Sequence, residues 1–323
     1  MKSPIHNKNK QKSPKNLEIN SKLLALPPEL FCKVWDNLGL VKLSYIKQLQ
    51  TRIHNHKFLN NIFYCSKELI IDINDENLIQ KFNPKLITKV AFTRRGLPML
   101  DYCLTNWKNI QELNTTNTGL TSLPESIGNL TRLQIFYTSF NKLNSLPKSI
   151  GNLSNLQELY LNRNELTSLP ESIGNLTRLQ ILYLTLNSNL TSLPESIGKL
   201  TSLQVLHLHG NKLTSLPESI GKLTSLEYLD LHDNKLTSLP VSIGKLINLQ
   251  KLILNYNQLT SLPESIGKLT NLQYLDLHEN TLTSLPESIG KLTNLQELHI
   301  DTKIINLPYS ILKIQNLSLF QED

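Results

Sequence analysis

The sequence predicts an α/β solenoid, with a curved parallel sheet on its concave side, short helices or 3-10 turns on its convex side, and a small α-helical N-terminal domain. Three observations predict this fold: a heptapeptide recurs at nearly constant spacing, leucines alternate between its copies, and the first 64 residues lack it. The heptapeptide SLPESIG, or a close variant, recurs every 22 to 24 residues, beginning at Ser122, Ser145, Ser168, Ser192, Ser215, Ser238, Ser261 and Ser284 and, in degenerate form, at Asn306. A period of this length indicates stacked repeats that bury their apolar faces against one another.

Each repeat is predicted to contain one short strand and one helical return. Between the heptapeptides runs L-x-x-L-x-L-x-x-N-x-L, as in LQVLHLHGNKL at Leu203–Leu213. Leucines two residues apart point to the same face of a strand, so the residue between them points away from the core. The heptapeptide serine is predicted to be a helix N-cap, and the glutamate three residues later to complete a capping box, while the glycine is read as a turn position. Helical turns are wider than strands, so the stack must curve.

A recurring asparagine falls where each strand ends and the chain turns inward. An amide group offers two donors and one acceptor, so a stack of amides is predicted to satisfy backbone groups that the bend leaves unpaired. Thr118 takes this place in the first repeat and Lys303 in the last. The predicted ladder consists of Asn141, Asn164, Asn187, Asn211, Asn234, Asn257 and Asn280.

These motifs resemble the leucine-rich repeat family, in the 23-residue variety LPxSIGxLxxLxxLxLxxNxL found in Ras-group and related intracellular members. The resemblance implies a solenoid over residues 110–302 and a degenerate last repeat with a C-terminal cap over 303–323. It also implies that the concave strand face binds another protein.

The side chains that point away from the core in each strand form the candidate binding face. Along it, a tyrosine ladder gives way to a patch of histidine and aspartate. Aromatic side chains on a rigid scaffold are typical interface anchors, although tyrosines on a ladder can also simply stack on one another. The candidate protein-binding residues are Tyr137, Tyr160, Tyr183, His207, His209, Tyr228, Asp230, His232, Tyr274, Asp276, His278 and His299.

The histidine and aspartate patch raises the question of a metal ion or of pH-sensitive docking. His207, His209 and His232 lie near Asp230, so two or three imidazoles can approach a common ion. Duplication of repeats that contain LHLH or LDLH is the simpler explanation for these histidines. We therefore expect no metal site and no cofactor. No serine or cysteine nucleophile accompanies the patch and an open face excludes little water, so we expect no catalytic residue and no enzyme activity.

The segment before the repeats is predicted to be a separate helical domain over residues 24–64. Leu30, Phe31, Val34, Trp35 and Leu38 form one apolar stripe at helical spacing. Aligned as another repeat, the segment would place a phenylalanine at the repeat's glycine and a lysine at a buried leucine. It is therefore not a copy of the heptapeptide unit.

An LPxEL helix directly before leucine-rich repeats resembles the F-box. The F-box motif is approximately LPxELLxxIxxYLxxxDLxxLxxVCxxW. In this sequence IHNHKFL stands where the motif ends in VCxxW. The resemblance implies that Leu26, Pro27, Leu30, Val34 and Leu38 dock a Skp-type adaptor, so that cargo on the concave face reaches a ubiquitin ligase. The alternative is a helical cap on a scaffold or signalling protein, for example one that binds a Ras-like GTPase.

Charge and cysteine content bound the remaining possibilities. The formal charge of +7 is uneven: residues 1–109 hold 18 Lys and Arg against 8 Asp and Glu, whereas residues 110–323 hold 15 against 18. Residues 1–23 are predicted to be a disordered basic leader. This leader has no interleaved aromatic residues, so we expect no nucleic-acid partner. Residues 65–109 are predicted to be a transition and N-terminal cap. The three cysteines are irregularly spaced, and the sequence has no apolar run of membrane-spanning length and no secretory signal. We therefore predict a cytoplasmic protein. If the protein is a microbial effector, it would act in the host cytosol, and the frequent Asn, Lys and Ile, typical of an AT-rich genome, would fit such an origin.

Overall fold

The computed structural model describes residues 41–42, 67–304 and 307–322. Within them, thirteen strands form one parallel sheet whose strand order follows the chain. The basic leader and the F-box-like residues Leu26, Pro27, Leu30, Val34 and Leu38 lie outside the described residues.

One strand from each coil of the solenoid enters the sheet. Successive strands pair in register, so that Leu206 lies opposite Leu229 and Leu229 opposite Leu252. Equivalent positions of neighbouring repeats are therefore neighbours in space. The strands are β1 Val41–Lys42, β2 Glu68–Ile71, β3 Lys89–Phe92, β4 Glu112–Asn114, β5 Ile135–Tyr137, β6 Glu158–Tyr160, β7 Ile181–Tyr183, β8 Val205–His207, β9 Tyr228–Asp230, β10 Lys251–Ile253, β11 Tyr274–Asp276, β12 Glu297–Asp301 and β13 Ser318–Glu322.

Short helices return the chain along the convex side, as predicted. The α-helices are α1 Glu76–Ile79 and α2 Leu100–Asn106. The 3-10 helices are η1 Leu97–Met99, η2 Glu125–Asn129, η3 Lys148–Asn152, η4 Glu171–Asn175, η5 Glu195–Lys199, η6 Glu218–Lys222, η7 Val241–Lys245, η8 Glu264–Lys268, η9 Glu287–Lys291 and η10 Tyr309–Lys313. The predicted solenoid class is confirmed, whereas the predicted helical domain over residues 24–64 lies, apart from Val41 and Lys42, outside the described residues.

The core between the two layers is one continuous apolar column. In a central repeat, Leu203, Leu206, Leu208, Leu213 and Ile220 are all fully buried. Fully burying a side chain of this size contributes about 1.5–3 kcal/mol relative to exposure. The leucines of the motif are therefore the main source of stability, and they leave the residues between them free to vary.

The predicted capping box is wrong. The N-cap of η2 is Pro124, whose backbone is extended, and no side chain caps the helix. Ser122 and Leu123 continue the extended chain so that the leucine can enter the core, and the helix begins only at Glu125. The Glu125 carboxylate instead accepts a hydrogen bond from the backbone N–H of Ser149 in the next coil, at 3.1 Å. The glutamate thus joins two coils rather than capping one.

The repeat glycine lies in the 3-10 turn of each coil, but its φ is not in the region that requires glycine. A Cβ atom added to Gly198 would lie 2.5 Å from the carbonyl oxygen of Ser219 in the next coil. The same contact recurs at the heptapeptide glycines, from Gly128 to Gly290. Glycine is needed because the convex backbones of neighbouring coils approach so closely.

The predicted asparagine ladder is confirmed. The Oδ1 of Asn234 accepts from the backbone N–H of Leu213, and its Nδ2 donates to the carbonyls of Leu208 and Leu231, each at 3.0 Å. All seven ladder residues are buried.

The ladder changes at its two ends. Thr118 is buried and donates its hydroxyl to the carbonyl of Thr115 at 2.8 Å, replacing one bond of the amide. Lys303 is exposed. Its place is supplied by the buried Asp301, whose carboxylate accepts from the backbone N–H groups of Glu279 and Asn280.

Residues 67–109 of the predicted transition segment form coils of the same sheet. Strand β2 falls on the apolar stretch LIIDI and pairs in parallel with β3. Strand β1 pairs with the other edge of β2. Val41 and Lys42 lie inside the segment predicted to be helical, so that prediction is wrong at these two residues. The open edge of β2 offers unpaired backbone groups that an extended segment satisfies.

Candidate concave binding face

Three columns of side chains line the concave face, with one residue per coil in each. The first column holds the first residue of each strand, the second column the residue between the two strand leucines, and the third column the residue after the second leucine. All twelve predicted binding residues lie in these columns. The first column contains Tyr228 and Tyr274; the second contains Tyr137, Tyr160, Tyr183, His207, Asp230, Asp276 and His299; the third contains His209, His232 and His278.

The tyrosines of the second column form a continuous stack. Ring centroids lie 4.8 Å apart between Tyr137 and Tyr160, 5.1 Å between Tyr160 and Tyr183, and 4.2 Å between Tyr183 and His207. The stacking predicted as the alternative to binding is thus present. All four residues keep part of their surface exposed, His207 with 15% of its side chain, so the stack also forms an accessible aromatic strip.

The phenol groups of this strip are held neutral. Burial raises the pKa of Tyr160, and the hydrogen bond that its hydroxyl donates to Glu158, at 2.8 Å, raises that pKa further. Burial likewise raises the pKa of Tyr137 and of Tyr183. The strip is therefore apolar along its rings and uncharged at its hydroxyl groups.

Beyond the strip, three imidazoles surround the buried carboxylate of Asp230, which is 4% exposed. Its Oδ2 lies 3.4 Å from Nδ1 of His207 and 3.1 Å from Nδ1 of His209, and its Oδ1 lies 2.8 Å from Nδ1 of His232. Burial raises the pKa of Asp230, but the hydrogen bonds from the three imidazoles outweigh burial and place that pKa well below its usual range. The bond to Asp230 raises the pKa of His232.

A second pair repeats part of this arrangement two coils further on. The Nδ1 of His278 lies 2.6 Å from Oδ1 of Asp276. In the preceding coil, Ile253 and Asn255 occupy the positions that correspond to the two histidines before Asp230. The three-imidazole cluster is therefore particular to one place on the face.

Sequence reasoning missed two residues of the face, Lys251 and Phe320. The Nζ of Lys251 lies 4.2 Å from the ring centroid of Tyr274 and 5.7 Å from that of Tyr228, between two tyrosines of the first column. Phe320 stacks on His299 at 4.5 Å and extends the second column into β13. The signal for Lys251 was its place between Tyr228 and Tyr274 in the repeat alignment, which predicts adjacent side chains.

Bulky apolar side chains also line one rim of the face. Phe140, Leu186 and Tyr256 have positive φ, at the position where Gly210 stands in another repeat. They are exposed, Tyr256 by 53%. A non-glycine residue in this conformation costs about 1–2 kcal/mol. Stability alone therefore does not account for large apolar groups at these positions.

None of the helices among the described residues is long and apolar enough to cross a lipid bilayer.

The stacked coils define a solenoid repeat protein with an open concave face. The chain belongs to the leucine-rich repeat family: the family profile for a leucine-rich repeat region matches residues 103–185, 179–258 and 241–322.

Solved structures support this assignment. The Leptospira interrogans leucine-rich repeat protein LIC12759 is 32% identical, over 84% of this chain and 80% of its own, with a TM-score of 0.59. A chain of PEPR1-AtPEP1 is 33% identical over 68% of this chain, with a TM-score of 0.60, although this chain spans only 32% of it. The leucine-rich repeat domain of the type III effector XCV3220 (XopL) is 27% identical over 63% of this chain and 73% of its own, with a TM-score of 0.54. No curated protein matches the sequence.

Proposed function

We propose that this protein is a non-enzymatic recognition module that binds another protein on its concave face. The observation that carries the proposal is the half-buried aromatic strip of the second column, with ring centroids 4.2–5.1 Å apart. Stacking holds these rings in place before binding, so a partner meets large contact areas that lose little conformational entropy. The exposed rim of Phe140, Leu186 and Tyr256 supports the same proposal, because it adds apolar area beside the strip.

The test is a combined Tyr137→Ala, Tyr160→Ala and Tyr183→Ala variant. Aromatic anchors at the centre of an interface are typically worth 2 kcal/mol or more each, so recovery of bound proteins from a cell extract should fall by at least about 10-fold. Partners are identified by mass spectrometry, and circular dichroism confirms that the variant is folded.

A matched control changes exposed apolar residues of the convex side. Val241→Ala with Ile247→Ala removes two side chains that are exposed away from the three columns, and it should leave recovery unchanged. Equal recovery from the tyrosine variant and the wild type would contradict binding through the strip.

We further propose that the N-terminal segment couples the bound protein to a ubiquitin ligase through a Skp-type adaptor. The support is the F-box-like pattern at Leu26, Pro27, Leu30, Val34 and Leu38, directly before a recognition array. Similarity to the repeat domain of a type III effector is consistent with action inside a host cell. The place of action would then be the cytosol.

Co-purification with a Skp-type adaptor tests this second proposal. The wild type should retain the adaptor, and Leu30→Asp with Val34→Asp should release it, since charges would replace the apolar stripe. The triple tyrosine variant is the control and should still retain the adaptor. If the wild type retains none, the N-terminal segment is only a cap, and the protein is a scaffold, for example for a Ras-like GTPase.

A further inference from the structure

The two carboxylate oxygens of Asp230 have different surroundings. Oδ1 accepts hydrogen bonds from Nδ1 of His232 at 2.8 Å and from the backbone N–H of the same residue at 3.2 Å. Oδ2 faces Nδ1 of His207 at 3.4 Å and Nδ1 of His209 at 3.1 Å. His207, His209 and Asp230 each offer a ligand atom, and these atoms all lie within 4.8 Å of one another.

We propose that His207, His209 and Asp230 bind one divalent transition-metal ion of the zinc type. Bonds of about 2.0–2.2 Å in a tetrahedral site place neighbouring ligand atoms about 3.3–3.5 Å apart. The two nitrogen-to-oxygen distances, 3.4 and 3.1 Å, are close to that spacing. The third edge, between the two imidazole nitrogens, is at most 4.8 Å long and would have to shorten when an ion binds.

The donor atoms select the class of metal. Two imidazole nitrogens and one carboxylate oxygen suit zinc, cobalt, nickel or copper, whereas calcium and magnesium prefer sites made of oxygen. The side chains of His207 and His209 are 15% and 28% exposed on the concave face. The ion would therefore keep at least one position open for water or for a side chain of a bound partner.

The surrounding residues hold the ligands in place. His207 lies directly opposite Asp230 in the pairing of β8 with β9, and its ring packs between Tyr183 at 4.2 Å and Tyr228 at 4.7 Å. The ring of His209 stacks on that of His232 at 4.4 Å. Because His232 engages Oδ1, it orients the carboxylate so that Oδ2 faces the two other imidazoles, as an outer-shell group does in metal sites.

Sequence reasoning predicted no metal here, because copied units explain the number of histidines. Copying does not explain why His207 and His209 face one oxygen atom of a buried carboxylate. The Asp276 and His278 pair is the same copied unit, but Ile253 and Asn255 stand in the coil before it. The proposal therefore expects one site and not two.

The experiment titrates the full chain with Zn²⁺ by calorimetry, and with Co²⁺ by visible absorption, which reports the coordination of the ion. His209→Ala and Asp230→Asn should each weaken this binding by at least about 10-fold and abolish the cobalt absorption bands of the site. His278→Ala is the matched control and should change neither. Any metal held elsewhere in the chain remains in all variants and is subtracted by the comparison.

Circular dichroism confirms that each variant is folded. If Asp230→Asn unfolds the chain, the partly exposed His209→Ala variant still decides the question. Zn²⁺ binding that is absent in the wild type, or equally strong in the wild type and His209→Ala, would overturn the proposal.

Discussion

Single asparagines carry a large share of the specificity of this fold. The amide of Asn234 satisfies three backbone groups that belong to two adjacent coils. Every such group is buried, and no apolar side chain of similar size replaces these bonds. These hydrogen bonds therefore require asparagine at this position, whereas the neighbouring loop positions vary in size and charge between repeats.

We predict that Asn234→Ala lowers the free energy of unfolding by about 3 kcal/mol. The change leaves the buried N–H of Leu213 unsatisfied, which costs about 1–3 kcal/mol. It also removes one bond each to the carbonyls of Leu208 and Leu231, worth about 0.5–1.5 kcal/mol apiece, although the amides of Asn211 and Asn257 still reach these carbonyls. Urea denaturation followed by circular dichroism measures the loss. Asn189→Ala, at an exposed position of the turn that follows β7, is the control and should change stability by less than about 0.5 kcal/mol. Equal stability of the two variants would contradict the role of the ladder.

The residue scale also shows where sequence reasoning stops. Alternation along each strand placed all twelve predicted side chains on one face, because successive strand residues point to opposite sides. It did not reveal that His207 and His209 face Oδ2 of Asp230 while His232 faces Oδ1, since side-chain rotation is not encoded in spacing. The pattern predicts the surface, and only the packed rings define the contacts on it.

At the scale of the element, the repeat glycine determines how closely neighbouring convex helices pack. A Cβ at Gly198 would lie 2.5 Å from the carbonyl oxygen of Ser219 and 2.7 Å from its Cβ. Consecutive 3-10 helices therefore pack with almost no side chain between them. The close spacing limits how widely the coils fan out on this side, and so limits the curvature of the sheet.

We predict that Gly198→Ala destabilises the protein by about 1–3 kcal/mol, the usual cost of inserting a methyl group into a packed contact. The backbone carbonyl opposite cannot rotate away as a side chain can, so neighbouring coils must separate. Thermal and urea unfolding measure this cost. Val241→Ala, on an exposed part of the same side, should have no effect. A variant as stable as the wild type would show that the coils separate freely.

Element boundaries were predicted less well than element types. The period of the leucines indicated one strand and one helical return per repeat, and both are present. The start of each helix was misjudged because SxxE resembles a capping box. Burial of the intervening leucine keeps the chain extended through Pro124, so the core overrides the local capping signal.

At the scale of the whole molecule, the coils are stacked in the order in which they follow one another in the sequence. Each strand pairs only with the strands before and after it, and the core continues through the described coils without interruption. Such arrays gain stability from contacts between adjacent repeats, and a long row of side chains is displayed without a closed pocket. The concave face accordingly offers separate regions, an aromatic strip and a histidine cluster, within one rigid surface.

The strict register of the sheet has a mechanical consequence. The hydrogen bonds between parallel strands, and those of the asparagine ladder, lie along the direction in which the coils are stacked. Tension applied between the two ends of the array would load every interface equally, and the interfaces would break one at a time because each coil holds only its neighbours. The molecule would then extend in steps of a single repeat at modest force, rather than resist and rupture as a whole.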